Sequence, residues 1–139
     1  MTFGEKIHVE RTKRGMNQKE FGQLIGVSTR IVSLYETNKS YPRTREDYTR
    51  IATALNLNVN YLLTENEEFV MDIGAEYGPR GAKGAERVLA DVNALFAGGE
   101  MAEEDMDVFM KAVQDAYWEV KKINKEKYNP KKNQKKDND

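Results

Sequence analysis

The sequence predicts an all-α fold: a domain of five short helices, then a helical hairpin. Three observations predict it. Apolar residues recur at spacings of three and four along most of the chain, which marks one buried face per helix. Capping and stopping residues stand at the ends of these patterns. The only run that would suit a short strand is "FVMDI" at residues 69–73.

The elements follow in order. A first helix is expected from about Phe3 to Lys13, stopped by Gly15. Asn17 can cap the second, with Glu20 three residues on completing a capping box. Phe21, Leu24 and Ile25 are spaced to share its buried face, and Gly26 ends it. Ser28 caps a third helix with Val32 and Tyr35 inward. The loop "TNKS" follows, with Asn38 suited to the left-handed conformation, and Pro42 blocks helix there. Thr44 caps a fourth helix with Tyr48, Ile51, Ala52 and Leu55 inward, and Asn58 opens a short fifth, "VNYLL". Residues 67–84, acidic and with several glycines, read as a linker. Residues 85–128 read as the hairpin. Val88, Leu89, Val92, Leu95 and Phe96 share one face, Gly98 and Gly99 make the turn, and Met106, Phe109, Val113, Ala116, Val120 and Ile123 form a seam on the second helix. The lysine-rich end, 129–139, reads as a disordered basic tail.

Composition excludes several function classes. The 139 residues include no cysteine, so disulfides and thiolate metal sites are out. No apolar run is long enough to span a membrane, and the start lacks a signal-peptide core, so a cytoplasmic protein without membrane association is expected. His8 is the single histidine, and no acid–base or nucleophile constellation surrounds it. No enzyme, metal or cofactor is expected. The net charge of −1 is unevenly spread: residues 1–66 carry +3, residues 67–107 carry −8 and residues 108–139 carry +4. Salt screens charge beyond about 8 Å, so a partner feels the local field and not the total.

The densest pattern lies in residues 18–36. Two helices joined by a very short turn cross steeply, so the second protrudes while the first braces it. That geometry demands apolar residues at five places, and Phe21, Ile25, Val27, Val32 and Tyr35 occupy them. It needs a small residue where the helices nearly touch, and a glycine where the chain turns. Gly22 and Gly26 stand there. With "GMNQKEFGQLIGVSTRIVSLYE", Pro42 and "IATALNLNVNYLL" in order, residues 3–64 resemble the Cro/C1-type, or XRE-like, helix-turn-helix family of phage and bacterial regulators. The resemblance implies a five-helix, lambda-repressor-like domain over residues 1–66 whose third helix enters the DNA major groove, with double-stranded DNA as partner.

The resemblance also implies roles. Thr29, Arg30, Ser33 and Leu34 match positions that face base edges; a guanidinium at Arg30 suits guanine, and Leu34 suits a thymine methyl. Gln18 and Ser28, with Asn38, Lys39, Ser40 and Arg43 in the loop, match positions that touch phosphates. Arg11 and Glu36 match a structural pair joining the first and third helices. Three residues depart from the pattern: Gly22 for the usual alanine, Asn38 for glycine, and Glu10 at an often apolar position. The hairpin is expected to make a homodimer through Met106, Phe109, Val113, Tyr117, Trp118 and Val120, since two large aromatics on one helix call for a covering surface. The expected function is a sequence-specific transcriptional repressor binding a palindromic operator. The alternatives are an antitoxin that holds a protein partner through the hairpin, and a regulator that answers to a small molecule. The acidic middle is expected to stay off the DNA by repulsion.

Overall fold

The computed structural model describes residues 1–127, and all their regular structure is helical. The order is α1 (Phe3–Lys13), α2 (Gln18–Ile25), α3 (Thr29–Glu36), α4 (Arg45–Leu55), α5 (Val59–Leu62), α6 (Glu65–Gly98) and α7 (Glu103–Lys127). The tail read as disordered, 129–139, lies outside the described residues.

The described residues divide into two compact units, the first residues 1–93 and the second beginning at Ala94. In the first, α1–α5 close on Phe3, Ile7, Phe21, Ile25, Val32, Tyr48, Ile51, Leu55 and Leu62, all nearly or fully buried. Caps set the helix starts. Thr2, Asn17, Ser28, Thr44 and Asn58 each accept a backbone N–H with the side-chain oxygen, and Asn17 and Glu20 form a reciprocal capping box. Leu24, read as inward, is 37% exposed, so Phe21 and Ile25, with Gly22, carry the buried stripe of α2. Glu10 is buried yet paired: Arg14 Nη1 donates to its carboxylate at 2.5 Å, while Arg14 Nη2 reaches the Leu55 carbonyl at 3.1 Å. The charge at that unusual position thus fastens α1 to the end of α4.

An aromatic cluster fills the centre. The Phe3 ring lies 5.4 Å from Tyr35, 5.6 Å from Tyr41 and 5.7 Å from Tyr48. Tyr48 is fully buried, and its hydroxyl has no hydrogen-bond partner among the described residues. Burial drives its pKa far above the usual tyrosine value. A buried, unpaired hydroxyl costs about 1–3 kcal/mol. Tyr48→Phe should therefore raise stability by about 1 kcal/mol, read as a higher urea midpoint at unchanged slope. A lower midpoint would show that the hydroxyl does have a partner.

Residues 67–84 require a correction. The expected linker is helical, and so is the expected strand at 69–73. Phe69, Val70 and Ile73 are buried, as are Gly81, Ala82, Ala85, Glu86, Leu89 and Val92 beyond the bend. Gly74 and Gly81 serve close packing, and Gly78 the bend. Gly78 adopts φ 79°, ψ −174°, a conformation outside the helix, and Pro79 follows with no N–H to leave unpaired. A Cβ on Gly81 would stand 2.8 Å from Tyr77 Cβ, and one on Gly74 would stand 3.2 Å from Ala82 Cβ. The two segments of α6, 65–77 and 79–98, therefore meet at a tight corner that larger residues would open.

This corner carries two buried carboxylates into the first unit. Glu67 is 3% exposed and accepts the Thr64 hydroxyl proton; burial pushes its pKa up, against the pull of Thr64 and Lys6. Glu86, from the second segment, accepts from the Tyr41 backbone N–H at 3.2 Å and from Arg43 Nη1 at 2.5 Å.

In the second unit, the Phe96 and Phe109 rings meet edge to face at 5.9 Å. Of the expected pairing surface, Phe109 and Val120 are exposed, and Met106, Val113, Tyr117 and Trp118 are half-buried. Val108 and Ile123 are exposed as well, and Met110 is buried.

Candidate nucleic-acid interface

The α2–turn–α3 corner is built by the backbone. Gly26 sits at φ 79°, ψ 33°, a left-handed conformation that favours glycine. The N–H groups of Gly26 and Val27 both donate to the Gly22 carbonyl, at 2.8 and 2.9 Å, and Arg50 Nε reaches the Ile25 carbonyl at 3.3 Å. The end of α2 is thereby capped, and the chain turns at once into α3. A Cβ on Gly22 would lie only 2.6 Å from the Val27 carbonyl oxygen and 3.3 Å from Val32 Cγ2. In this chain the two helices approach more closely than the usual alanine would allow.

Glu36 fastens the corner to the rest of the domain. Arg11 grips its carboxylate with two nitrogens, Nε at 2.5 Å and Nη2 at 3.2 Å, and Gln18 Nε2 donates to it at 3.0 Å. Burial would raise the Glu36 pKa; the bonds from Arg11, Gln18 and His8 outweigh it and hold the carboxyl below its usual range. One carboxylate thus locks α1, α2 and α3 together in its ionised form.

With Val32 and Tyr35 turned inward, α3 presents its other side. Thr29 and Arg30 are exposed, and Ser33 and Leu34 are half-buried. Ser28 is exposed while its oxygen caps the Ile31 N–H at 3.2 Å. Lys39 is exposed and Ser40 half-buried, and the N–H groups of both are tied to the Leu34 carbonyl, at 2.9 and 3.3 Å.

Besides Ser28, three residues matched to phosphates have side-chain partners inside the protein. Gln18 spends one amide N–H on Glu36. Asn38, at φ 56°, accepts the Gly4 N–H at 2.9 Å and donates to the Thr2 hydroxyl at 3.1 Å, so its side chain holds the start of α1. Arg43 is paired with Glu86. Gly4 and Glu86 carry no signal in the sequence, because their partners lie 34 and 43 residues away.

Residues 7–62 match the helix-turn-helix family model, of the Cro/C1 type. The N-terminal domain belongs to this family. It is a DNA-binding domain of the kind used by transcriptional regulators. Neither the curated proteins nor the solved structures include a match to the chain. Among the described residues, no helix is long and apolar enough to cross a membrane.

Proposed function

We propose that the protein is a sequence-specific transcriptional repressor that binds a two-fold operator as a homodimer. The single observation that carries the reading is the outward face of α3. Thr29 and Arg30 stand exposed on a short helix braced from behind by a rigid corner, with Lys39 and Ser40 beside its end. A guanidinium in that place can take both acceptors of a guanine edge, and the loop can take phosphates. Occupying DNA is itself a means of repression, since it denies the site to other proteins.

Pairing answers a limit of size. One such module covers about 600–1,000 Å² of DNA, and a two-fold pair doubles that contact and reads two half-sites. The apolar side chains left exposed on α7 are available for pairing: Val120 and Ile123 are 54% and 55% exposed.

Selection of bound sequences from a random DNA pool tests the reading together with size measurement in solution. The full chain should enrich a site with two inverted halves, and light scattering should give a dimer. The variant Val120→Asp/Ile123→Asp should run as a monomer and bind one half-site weakly. A wild-type monomer, or enrichment of one unrepeated half-site, would overturn the dimeric operator complex.

A further inference from the structure

One face of the second segment of α6 stands opposite α3 in the same compact unit, across an open groove of about 690 Å³. Arg30, Lys39 and Arg43 line one bank; Lys83, Glu86 and Arg87 line the other. Five cations therefore face a single carboxylate. That carboxylate is already used: Glu86 is 5% exposed and holds Arg43 and the Tyr41 N–H. Arg30, Lys39, Lys83 and Arg87 are exposed and form no ion pair among the described residues. Lys83 and Arg87 are one helical turn apart, so their side chains stand about 5–6 Å from each other at the base and repel. An anion in the groove would meet four cations that form no ion pair among the described residues, though Lys83 also feels the field of Glu86.

Segment 67–107 carries a net charge of −8, and its only cations are Arg80, Lys83 and Arg87. Two of those three line the groove beside α3. The groove wall is therefore cationic within a stretch that is acidic as a whole.

We infer that Lys83 and Arg87 bind DNA phosphates. When α3 lies in the major groove, the strand that walls that groove enters the channel between α3 and α6. Its phosphates take Lys83 and Arg87 on one side and Lys39 on the other. Both residues lie outside the matched 7–62, so the contact belongs to this chain's own α6. The inference rests on α3 being the reading helix. The Glu86–Arg43 pair sets the width of the channel, because it ties the loop after α3 to the same helix that carries the two cations.

The test uses full-length protein and the operator recovered by selection, with affinity measured across a range of salt. Each phosphate contact contributes about 0.9 to the slope of log affinity against log salt. Lys83→Ala/Arg87→Ala should flatten the slope by nearly 2 per protomer and weaken binding about tenfold near physiological salt. The loss should be the same for every sequence, with the ranking of bases unchanged. Lys83→Arg/Arg87→Lys, which keeps the charge, should recover the wild-type slope and so rule out a folding defect. An alanine variant with the wild-type slope and affinity, on an operator that the wild type does bind, overturns the channel alone. A wild type with no preference for any sequence overturns the reading of α3 and the channel with it.

Discussion

Gly4→Ala should lower the unfolding free energy by about 3 kcal/mol, although alanine is the better helix former. A Cβ at Gly4 would stand 2.8 Å from both the Asn38 Oδ1 and the Glu36 carbonyl oxygen, and closer still to the Tyr35 carbonyl. Two of those three atoms are backbone at the end of α3, and they cannot rotate out of the way. The side-chain obstacle, Asn38, is held by the Gly4 N–H and the Thr2 hydroxyl. The start of α1 must therefore lift off α3, taking Phe3 away from Tyr35, Tyr41 and Tyr48. Overpacking typically costs about 1–3 kcal/mol, and an obstacle of backbone puts this case at the upper end. Alanine's gain in helix propensity, about 1 kcal/mol, does not offset it. Urea unfolding measures the change. A midpoint equal to that of the wild type would mean that α1 is not seated on the end of α3.

The parts of this molecule that were legible in the sequence are those whose causes are local. Asn17, Glu20, Gly26 and Ser28 mark the ends of α2 and α3 because each acts on backbone groups within four residues of itself. The spacing of Phe21, Ile25, Val32 and Tyr35 records which side of each helix is buried. Residues 67–84 misled because their composition resembles a flexible connection. The same glycines that mark linkers also permit close helix packing, and only the neighbours decide which. Here Gly74 faces Ala82, and Gly81 faces Tyr77 and Ile73. The buried Phe69, Val70 and Ile73 have a helical spacing that the surrounding acidic residues obscured. The site divides in the same way. The exposed face of α3 follows from a local pattern. The Glu86 pair with Arg43, and the approach of Lys83 and Arg87 to α3, depend on a corner formed far along the chain.

Arg30→Ala should leave the fold untouched and cost about 1–3 kcal/mol of discrimination at one base pair. Arg30 is the second residue of α3, exposed, and without an ion pair among the described residues, so its removal opens no cavity and strands no buried charge. Its melting curve should match the wild type. What disappears is the fork of N–H donors that a guanine edge requires. The lysines proposed to meet phosphates remain, so weak binding to any sequence should persist. The most direct measurement is parallel selection from one random DNA pool with the wild type and Arg30→Ala. The wild type should enrich a defined site, and the variant should lose its preference at a single position in each half. Enrichment of the same site with the same base ranking by both proteins would contradict it, because the exposed face of α3 would then not be reading the DNA.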